Sequence, residues 1–198
     1  MLRRRLTEVS YERWYRTGTY RLWVLGTAEV SVHQLAKEIR RTESALHWLH
    51  YVGHPLGNTS VLDVGCGAGG ALIACRIRGA ASVAGVDIDA RSHLITGQFG
   101  IEVFGCVPSM QYERIWCSHL IEHVLDPVGF LRTLRDHLKN VDWSYIYLET
   151  PAWTEKAEIK LPHPFYYSPA SFRFLTERAG LKVAAMDDGI RAVLRRAG

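Results

Sequence analysis

A group of glycines at the end of a short apolar strand is the feature of this sequence most directly tied to chemistry. The predicted strand 61–64 runs into Gly65-x-Gly67-x-x-Gly70, and a second predicted strand ends at Asp87 one helix length later. Glycine is needed where a turn is tight and where the backbone approaches a ligand closely, because a Cβ would collide there. A carboxylate at the end of the second strand can accept hydrogen bonds from both hydroxyls of a ribose. The pattern therefore predicts a site for a nucleoside-bearing cofactor.

The same glycine spacing also satisfies the dinucleotide-binding fingerprint, and two residues separate these alternatives. Asp63 stands where dinucleotide-binding folds usually carry an apolar residue. An acid there would repel a pyrophosphate and would favour a cationic or ammonium-bearing ligand. Gly69 shortens the loop relative to a phosphate-cradling turn. A nicotinamide-dependent oxidoreductase is the alternative function. The sequence has no Tyr-x-x-x-Lys pair, however, to provide the catalytic residues of such an enzyme.

At this motif the chain resembles the class I S-adenosylmethionine-dependent methyltransferases. The resemblance implies that the glycine turn faces the methionine part of the cofactor and that Asp87 holds the ribose. Many members place an acid after the third strand against the adenine amino group, and this chain has none between Cys106 and Gln111. We expect the apolar face of Ile88, or backbone groups, to serve the adenine instead. The expected cofactor-binding residues are Asp63, Gly65, Cys66, Gly67, Gly69, Asp87, Ile88 and Ser118.

A second segment, Cys-Ser-His-Leu-Ile-Glu-His-Val-Leu-Asp-Pro at residues 117–127, follows the fourth predicted strand. It is similar to the Leu-Glu-His-Val-x-Asp-Pro segment of small-molecule methyltransferases, among them the ubiquinone-pathway O-methyltransferases. It lacks the Asn/Asp-Pro-Pro-aromatic sequence of enzymes that methylate amino groups of DNA bases. Methylating a hydroxyl requires a base for its proton, and a neutral imidazole near pH 7 suits this task. We therefore expect His119 or His123 to be the catalytic base.

The residues of this segment have a second interpretation, as metal ligands. His119, Glu122 and His123 have the i, i+3, i+4 spacing that would place them on one face of a helix. Some relatives hold a divalent ion with acidic and histidine side chains at this point. The simpler alternative is that Glu122 and His123 tie the loop to neighbouring backbone groups. We favour it and expect no metal.

A third segment, His-Pro-Phe-Tyr-Tyr-Ser-Pro at residues 163–169, resembles a loop that closes over the substrate in related enzymes. His163 is accordingly a further candidate for the catalytic base, and Tyr166 or Tyr167 for a wall of the substrate site. It is equally consistent with the sequence that these aromatic residues cover the sheet edge while His163 orders the loop.

Strands and helices alternate from Ser60 onward, which predicts a parallel sheet covered on both faces. Asp126-Pro127 and Ser168-Pro169 are helix starts, Gly180 ends the last helix, and the turn 187–189 predicts a hairpin. The fold class is α/β, a Rossmann-like doubly wound and mostly parallel sheet with a C-terminal antiparallel hairpin. The predicted strands are 61–64, 82–87, 101–105, 112–117, 143–149, 181–186 and 190–195, and the predicted helices are 68–78, 90–98, 127–139 and 169–179.

Residues 1–57 lack these signals and form a predicted helical extension or cap, so that 58–198 is the methyltransferase domain. Ser31-x-x-Gln34 is a capping box before a helical apolar pattern. The extension is rich in aromatic side chains, which either line a substrate site or anchor the segment to the core. We favour anchoring. The aromatic residues are Tyr11, Trp14, Tyr15, Tyr20 and Trp23.

Composition limits the class of protein and its partners. The 198 residues are 47% hydrophobic, enough for one core, and the net charge of +4 is mild. No basic stripe with aromatics and no run of 18 apolar residues is present, so we expect neither a nucleic-acid nor a membrane partner. The four cysteines lack metal-ligand spacing and fall in or beside apolar segments, which favours reduced thiols and a cytoplasmic location. They are Cys66, Cys75, Cys106 and Cys117.

The sequence thus predicts methyl transfer from S-adenosylmethionine to a small-molecule acceptor. A hydroxyl of a sugar, phenol, polyketide or quinone precursor is the expected site of methylation. Besides the oxidoreductase, a non-catalytic partner protein with the same fold is an alternative. A degraded glycine motif would support it, but the motif of this chain is intact. The oligomeric state is left open.

Overall fold

A seven-stranded sheet lies at the centre of the described residues of this computed structural model, which are 13–17, 31–151 and 163–198. The strand order is β3-β2-β1-β4-β5-β7-β6. β1 to β5 pair in parallel, whereas β7 lies antiparallel between β5 and β6. The predicted α/β class and C-terminal hairpin are therefore confirmed. The strands are β1 (Ser60–Val64), β2 (Ser82–Val86), β3 (Glu102–Phe104), β4 (Arg114–Ser118), β5 (Tyr145–Glu149), β6 (Leu181–Met186) and β7 (Arg191–Arg196).

The helices begin at the caps that the sequence predicts. The Ser31 side chain accepts from the Gln34 N–H, Asp126 accepts from the Gly129 N–H, and Ser168 forms a capping box with Ser171. Gly180 ends the last helix with φ 72°, in the left-handed region. The helices are α1 (Val32–Tyr51), α2 (Gly70–Ile77), α3 (Ala90–Gln98), α4 (Pro127–His137) and α5 (Pro169–Arg178), with a 3₁₀ turn at Ile121–His123.

The two faces of the sheet carry separate apolar cores because alternate residues of a strand point to opposite faces. Leu62 of β1 belongs to the core that α4 and α5 cover, whereas its neighbour Val61 belongs to the core that α1 covers. Leu49 of α1 is 0% exposed. The helix before the glycine turn is therefore part of the packed fold.

Two strands begin two residues later than predicted, at residues 114 and 145 instead of 112 and 143. Tyr112 leaves the ladder because its N–H donates to the carbonyl of His137, and it forms only an isolated bridge with Leu138. Residues 141 to 143 form a turn, in which the Ser144 N–H donates to the carbonyl of Val141. Helix α2 begins at Gly70 instead of residue 68, since Gly69 precedes it with φ 83°.

Before α1, residues 13–16 form a helical turn that includes Trp14 and Tyr15. The other aromatic residues singled out in the extension, Tyr11, Tyr20 and Trp23, lie outside the described residues. The division of the chain at residue 57 stays a prediction. None of the helices in the described parts combines the length and the apolar character needed to cross a bilayer.

Candidate functional site

A pocket opens at the carboxyl ends of β1 and β4, where ligands bind in open α/β sheets. Five sequence-predicted site residues line it together: Asp63, Gly65, Cys66, Gly67 and Ser118. We call this the glycine pocket. Its remaining lining residues come from α1, from the start of α2 and from β4, namely Glu38, Arg41, Thr42, Ala71 and Trp116.

The glycine turn owes its shape to the backbone. Gly65 has φ 81°, and its N–H and that of Cys66 both donate to the carbonyl of Val86, at 2.7 and 3.0 Å. A Cβ on Gly65 would lie 3.0 Å from Leu120 Cδ2. A Cβ on Gly85 of β2 would lie 2.7 Å from Cys66 Sγ. The turn is therefore pressed against β2 and Leu120, with no room for a side chain at these positions.

Asp87 is held at the end of β2 by two backbone donors. Its Oδ2 accepts from the Gly67 N–H and its Oδ1 from the Asp89 N–H, both at 2.8 Å. The carboxylate thus joins the glycine turn to the segment that starts α3. Ile88, the next residue, is half-buried but is not among the residues that line the glycine pocket.

The glycine pocket concentrates negative charge. Burial raises the pKa of Asp63 well above its usual value. Repulsion from Glu38 and Asp87 raises this pKa further, and Arg41 opposes it. Burial also raises the pKa of the Cys66 thiol, which is therefore an unreactive wall at neutral pH. A ligand that carries positive charge would reduce the repulsion between the acidic side chains of the pocket.

Helix α1 supplies residues that the sequence analysis missed. Glu38 and Arg41 line the glycine pocket, and Glu38 Oε2 accepts from the Gly70 N–H at 3.3 Å. A signal for them was present, since Glu38, Arg41 and Thr42 precede the buried Ala45 and Leu46 at helical i, i+3, i+4, i+7 and i+8 spacing. They continue the buried stripe of the helix with polar side chains, and polar residues in such a stripe indicate a site.

The end of β4 is anchored to β5. The Ser118 hydroxyl donates to Glu149 Oε2 at 2.8 Å, and the His119 N–H donates to the carbonyl of Glu149 at 2.8 Å. His119 has φ 54°, a conformation that non-glycine residues adopt at a cost of roughly 1–3 kcal/mol. This strained residue marks the point where the chain leaves the sheet and turns back across the edge.

Two predicted histidines, His123 and His163, meet beyond this turn although 39 residues separate them in sequence. Their ring centroids are 4.6 Å apart with the rings at 76°, and the side chains are buried. Glu122 lies beside them at 1% exposure, and Thr150 Oγ1 donates to its Oε2 at 3.2 Å. We call Glu122, His123 and His163 the histidine cluster.

The pKa of Glu122 is lowered in spite of its burial. Burial alone would raise its pKa, but the interactions with His119 and His123 outweigh burial, so that the pKa lies below the usual value of a glutamate. His119 Nδ1 is 3.6 Å from Glu122 Oε1, an ion-pair distance. The third predicted histidine therefore stands at the margin of the histidine cluster, with its side chain 35% exposed.

The histidine cluster has two chemical capacities. Each of its three residues offers a nitrogen or oxygen atom within 4.8 Å of the others, a spacing that suits a divalent ion. Two imidazoles beside a buried carboxylate also suit the acceptance of a proton. The set differs from the helical set that the sequence analysis weighed and did not favour, namely His119, Glu122 and His123. With a 3₁₀ turn at Ile121–His123 and a left-handed His119, His163 completes the group with Glu122 and His123, while His119 approaches Glu122 from outside it.

The family model and the similar sequences both indicate a methyltransferase. The model of a methyltransferase domain matches residues 31–185. The ubiquinone biosynthesis O-methyltransferase of Bordetella avium is 30% identical over 113 residues, covering 50% of this chain and 46% of the relative. The ubiquinone biosynthesis O-methyltransferase of Nitrosospira multiformis is 29% identical over 103 residues, covering 46% of this chain and 43% of the relative. The chain spans about half the length of the curated relatives that it matches.

Among solved structures, the magnesium protoporphyrin IX methyltransferase of Synechocystis PCC 6803 has a similar fold. With bound S-adenosylhomocysteine its TM-score is 0.65 at 16% identity, covering 95% of this chain and 97% of that one. With bound S-adenosylmethionine its TM-score is 0.63 at 17% identity, covering 94% of this chain and 93% of that one. The family model over residues 31–185 favours the methyltransferase over the oxidoreductase, and the resemblance found at the glycine turn is confirmed. The chain belongs to the methyltransferase-domain family.

Proposed function

We propose that this protein transfers a methyl group from S-adenosylmethionine to a hydroxyl oxygen of a small molecule. The observation that carries the proposal is the glycine pocket, where a glycine-rich turn faces the carboxyl groups of Asp63 and Glu38 and is hydrogen-bonded to that of Asp87. A cationic nucleoside cofactor needs both features: close backbone approach for its bulk and negative charge for its sulfonium and ammonium groups.

Each part of the cofactor has a partner in the glycine pocket or beside it, at the end of β2. Asp87 accepts from the ribose hydroxyls, and Ile88 packs near the adenine. Asp63 and Glu38 balance the positive charge of the methionine part, while Arg41 on α1 pairs with its carboxylate. Gly65, Cys66 and Gly67 allow the backbone to approach, and Ser118 lines the pocket at the end of β4. Gly69 allows the turn to enter α2 with φ 83°.

S-adenosylmethionine supplies a methyl group already activated by a positively charged sulfur. The protein therefore has to align the acceptor oxygen with the methyl carbon and exclude water. The oxygen–carbon bond forms as the carbon–sulfur bond breaks, the hydroxyl proton passes to a base, and S-adenosylhomocysteine leaves.

The base is a histidine of the histidine cluster, with His123 the first choice and His163 the second. Both are buried, and Glu122 stabilises the imidazolium that forms on proton uptake. His119 is the third choice, because its ring is more exposed and lies on the outer side of Glu122. Proton acceptance needs no metal, so we expect activity to survive chelation.

Oxygen is the proposed acceptor atom because a hydroxyl must lose its proton to a base, which the histidine cluster offers, and because the relatives named above are O-methyltransferases. Phenols, quinone precursors, sugars and polyketides are the acceptor classes to screen. All four cysteines are thiols in the structure, which supports a reducing, cytoplasmic location. A non-catalytic protein of the same fold is the competing proposal.

The first test is calorimetric titration with S-adenosylhomocysteine, with NADH as the competitor cofactor. We expect micromolar binding of S-adenosylhomocysteine alone. Replacing Asp87 by alanine should weaken that binding by roughly 1–3 kcal/mol, because polar groups of the complex are left unpaired. Binding that is unchanged in Asp87→Ala would remove Asp87 from the ribose site.

The second test is transfer of labelled methyl groups to a panel of hydroxylated acceptors, with and without a chelator. Binding of S-adenosylhomocysteine without transfer to any acceptor would favour the non-catalytic protein. Binding of neither cofactor would contradict the assignment of the glycine pocket. Activity lost on chelation and restored by a divalent ion would assign the histidine cluster to a metal instead of a proton.

A further inference from the structure

The helical turn before α1 reaches the histidine cluster. Tyr15 Oη is 2.8 Å from His123 Nδ1, a hydrogen-bond distance between residues 108 positions apart in sequence. The two rings lie edge to face, with centroids 5.6 Å apart at 65°. On its other side the Tyr15 ring meets the ring of Trp14 at 5.8 Å and 72°. A residue far in sequence from the three motifs thus holds a ring of the histidine cluster.

We propose that Tyr15 is a positioning residue: it holds His123 in the tautomer that carries its proton on Nδ1, so that the lone pair is on Nε2. The inference rests on the proposed function, in which His123 accepts the acceptor hydroxyl's proton. It adds the residue that prepares His123 for this step and assigns part of the active site to the segment before α1.

The direction of the hydrogen bond decides what His123 can do. A neutral imidazole has one N–H and one lone pair, and the partner of one nitrogen fixes the other. If the Tyr15 hydroxyl donated to Nδ1, the proton would sit on Nε2 and His123 would have no nitrogen left to accept another. If Nδ1–H donates to Oη, Nε2 is the acceptor. Proton transfer to His123 therefore requires the second arrangement.

Two aromatic rings pack against His123. His163 and Tyr15 each contact its ring edge to face, with centroids at 4.6 and 5.6 Å. A rotation that exchanged the two nitrogens of His123 would break its hydrogen bond to Tyr15. The charged and titratable groups around it are Glu122, His119, His163, Tyr15, Tyr166 and Tyr167.

The test is Tyr15→Phe, which removes one hydroxyl and keeps the ring. Nitrogen-15 NMR of the histidine-labelled protein bound to S-adenosylhomocysteine reports which nitrogen of His123 carries the proton, with His123→Gln identifying the signals. We expect a protonated Nδ1 in the wild type and a mixture of tautomers in Tyr15→Phe. Methyl transfer should show kcat lowered about tenfold or more, with the affinity for S-adenosylhomocysteine unchanged.

Two variants serve as controls. Tyr51→Phe removes the hydroxyl of an exposed tyrosine on α1 and should change neither the tautomer nor kcat. Trp14→Phe alters the packing of the helical turn while keeping the Tyr15 hydroxyl, so the His123 tautomer should stay that of the wild type. A tautomer that changes in Trp14→Phe as much as in Tyr15→Phe would assign the effect to packing and overturn the proposal.

The inference and the function on which it rests fail in different ways. A wild-type proton on Nε2, or a Tyr15→Phe variant with unaltered tautomer and kcat, overturns the role of Tyr15 alone while methyl transfer persists. A wild type that binds S-adenosylhomocysteine but transfers no methyl group to any acceptor overturns the proposed function. The tautomer of His123 is measured without any acceptor, so it is readable in either case.

Discussion

The glycine pocket and the histidine cluster lie at the same edge of the sheet and are built in different ways. The pocket is shaped by main chain: glycines in the left-handed region, a Val86 carbonyl that accepts twice, and an Asp87 carboxylate bound to backbone N–H groups. The histidine cluster is made of side chains brought together from separate segments, at positions 122, 123 and 163. A backbone site tolerates little change at its glycines, whereas a side-chain site can be altered without loss of the fold.

The variant expected to show the largest difference between the histidine cluster and the glycine pocket is His123→Gln. Removing the base should lower kcat roughly 100- to 10,000-fold, the usual contribution of a general base. The affinity for S-adenosylhomocysteine and the thermal midpoint should stay close to those of the wild type. His50→Gln, at an exposed position of α1, is the matched control. Loss of folding in His123→Gln would show that the histidine cluster is as structural as the glycine pocket, and the contrast would disappear.

The converse variant is Gly65→Ala in the glycine pocket. A non-glycine residue at φ 81° costs roughly 1–3 kcal/mol, and the new Cβ would also press on Leu120. We expect both thermal stability and cofactor affinity to fall, the latter about ten- to a hundredfold, measured by calorimetry.

Gly97→Ala is the control for this variant. Gly97 lies within α3, where a Cβ meets nothing within 4 Å, so alanine should stabilise the protein by roughly 0.5–1 kcal/mol. Gly65→Ala with wild-type affinity would mean that the turn adapts, and the backbone account of the pocket would be wrong.

A smaller effect is expected from Asp63→Asn, which tests the charge of the glycine pocket. The folded pKa of Asp63 lies above the unfolded value, so the folded state binds the extra proton. Its stability relative to the unfolded chain therefore falls as pH rises from the unfolded pKa toward the folded one. Asparagine removes this loss. The cofactor-free variant should melt a few degrees higher than the wild type at pH 8, and the gain should vanish toward pH ~4.

The same substitution should weaken binding of S-adenosylmethionine more than binding of S-adenosylhomocysteine, because only the former carries the sulfonium charge. Scanning calorimetry at several pH values and titration with both ligands measure the two effects. Equal weakening of both ligands would assign Asp63 to shape instead of charge.

The glycine pocket was the more predictable region because most of it is contiguous in sequence. The residue types and spacing of Gly65, Gly67 and Asp87 are enough to predict the site. A tight turn at the end of a strand can adopt few backbone conformations. Glu38 and Arg41 were missed because a helix face becomes a pocket wall only when α1 docks on the sheet. Their place in the buried stripe of α1 was the available signal.

The histidine cluster was predicted residue by residue but not as an assembly. His123 and His163 each stand out by their motifs, yet their meeting depends on how the segments after β4 and β5 return across the sheet edge. The helical spacing of His119, Glu122 and His123 suggested another set. It failed because the segment forms a single 3₁₀ turn and His119 adopts φ 54°. Tyr15 had no local signal beyond its aromatic type.

The place of β7 between β5 and β6 has a consequence for the nascent chain. Residues 191–196 emerge from the ribosome after every other strand, yet they fill an interior position of the sheet. Until they arrive, β5 presents an unpaired edge of apolar residues, and β6 has no partner among the described strands. Such an edge is a template for aggregation. Truncation before residue 191 would therefore expose the middle of the sheet instead of trimming its border.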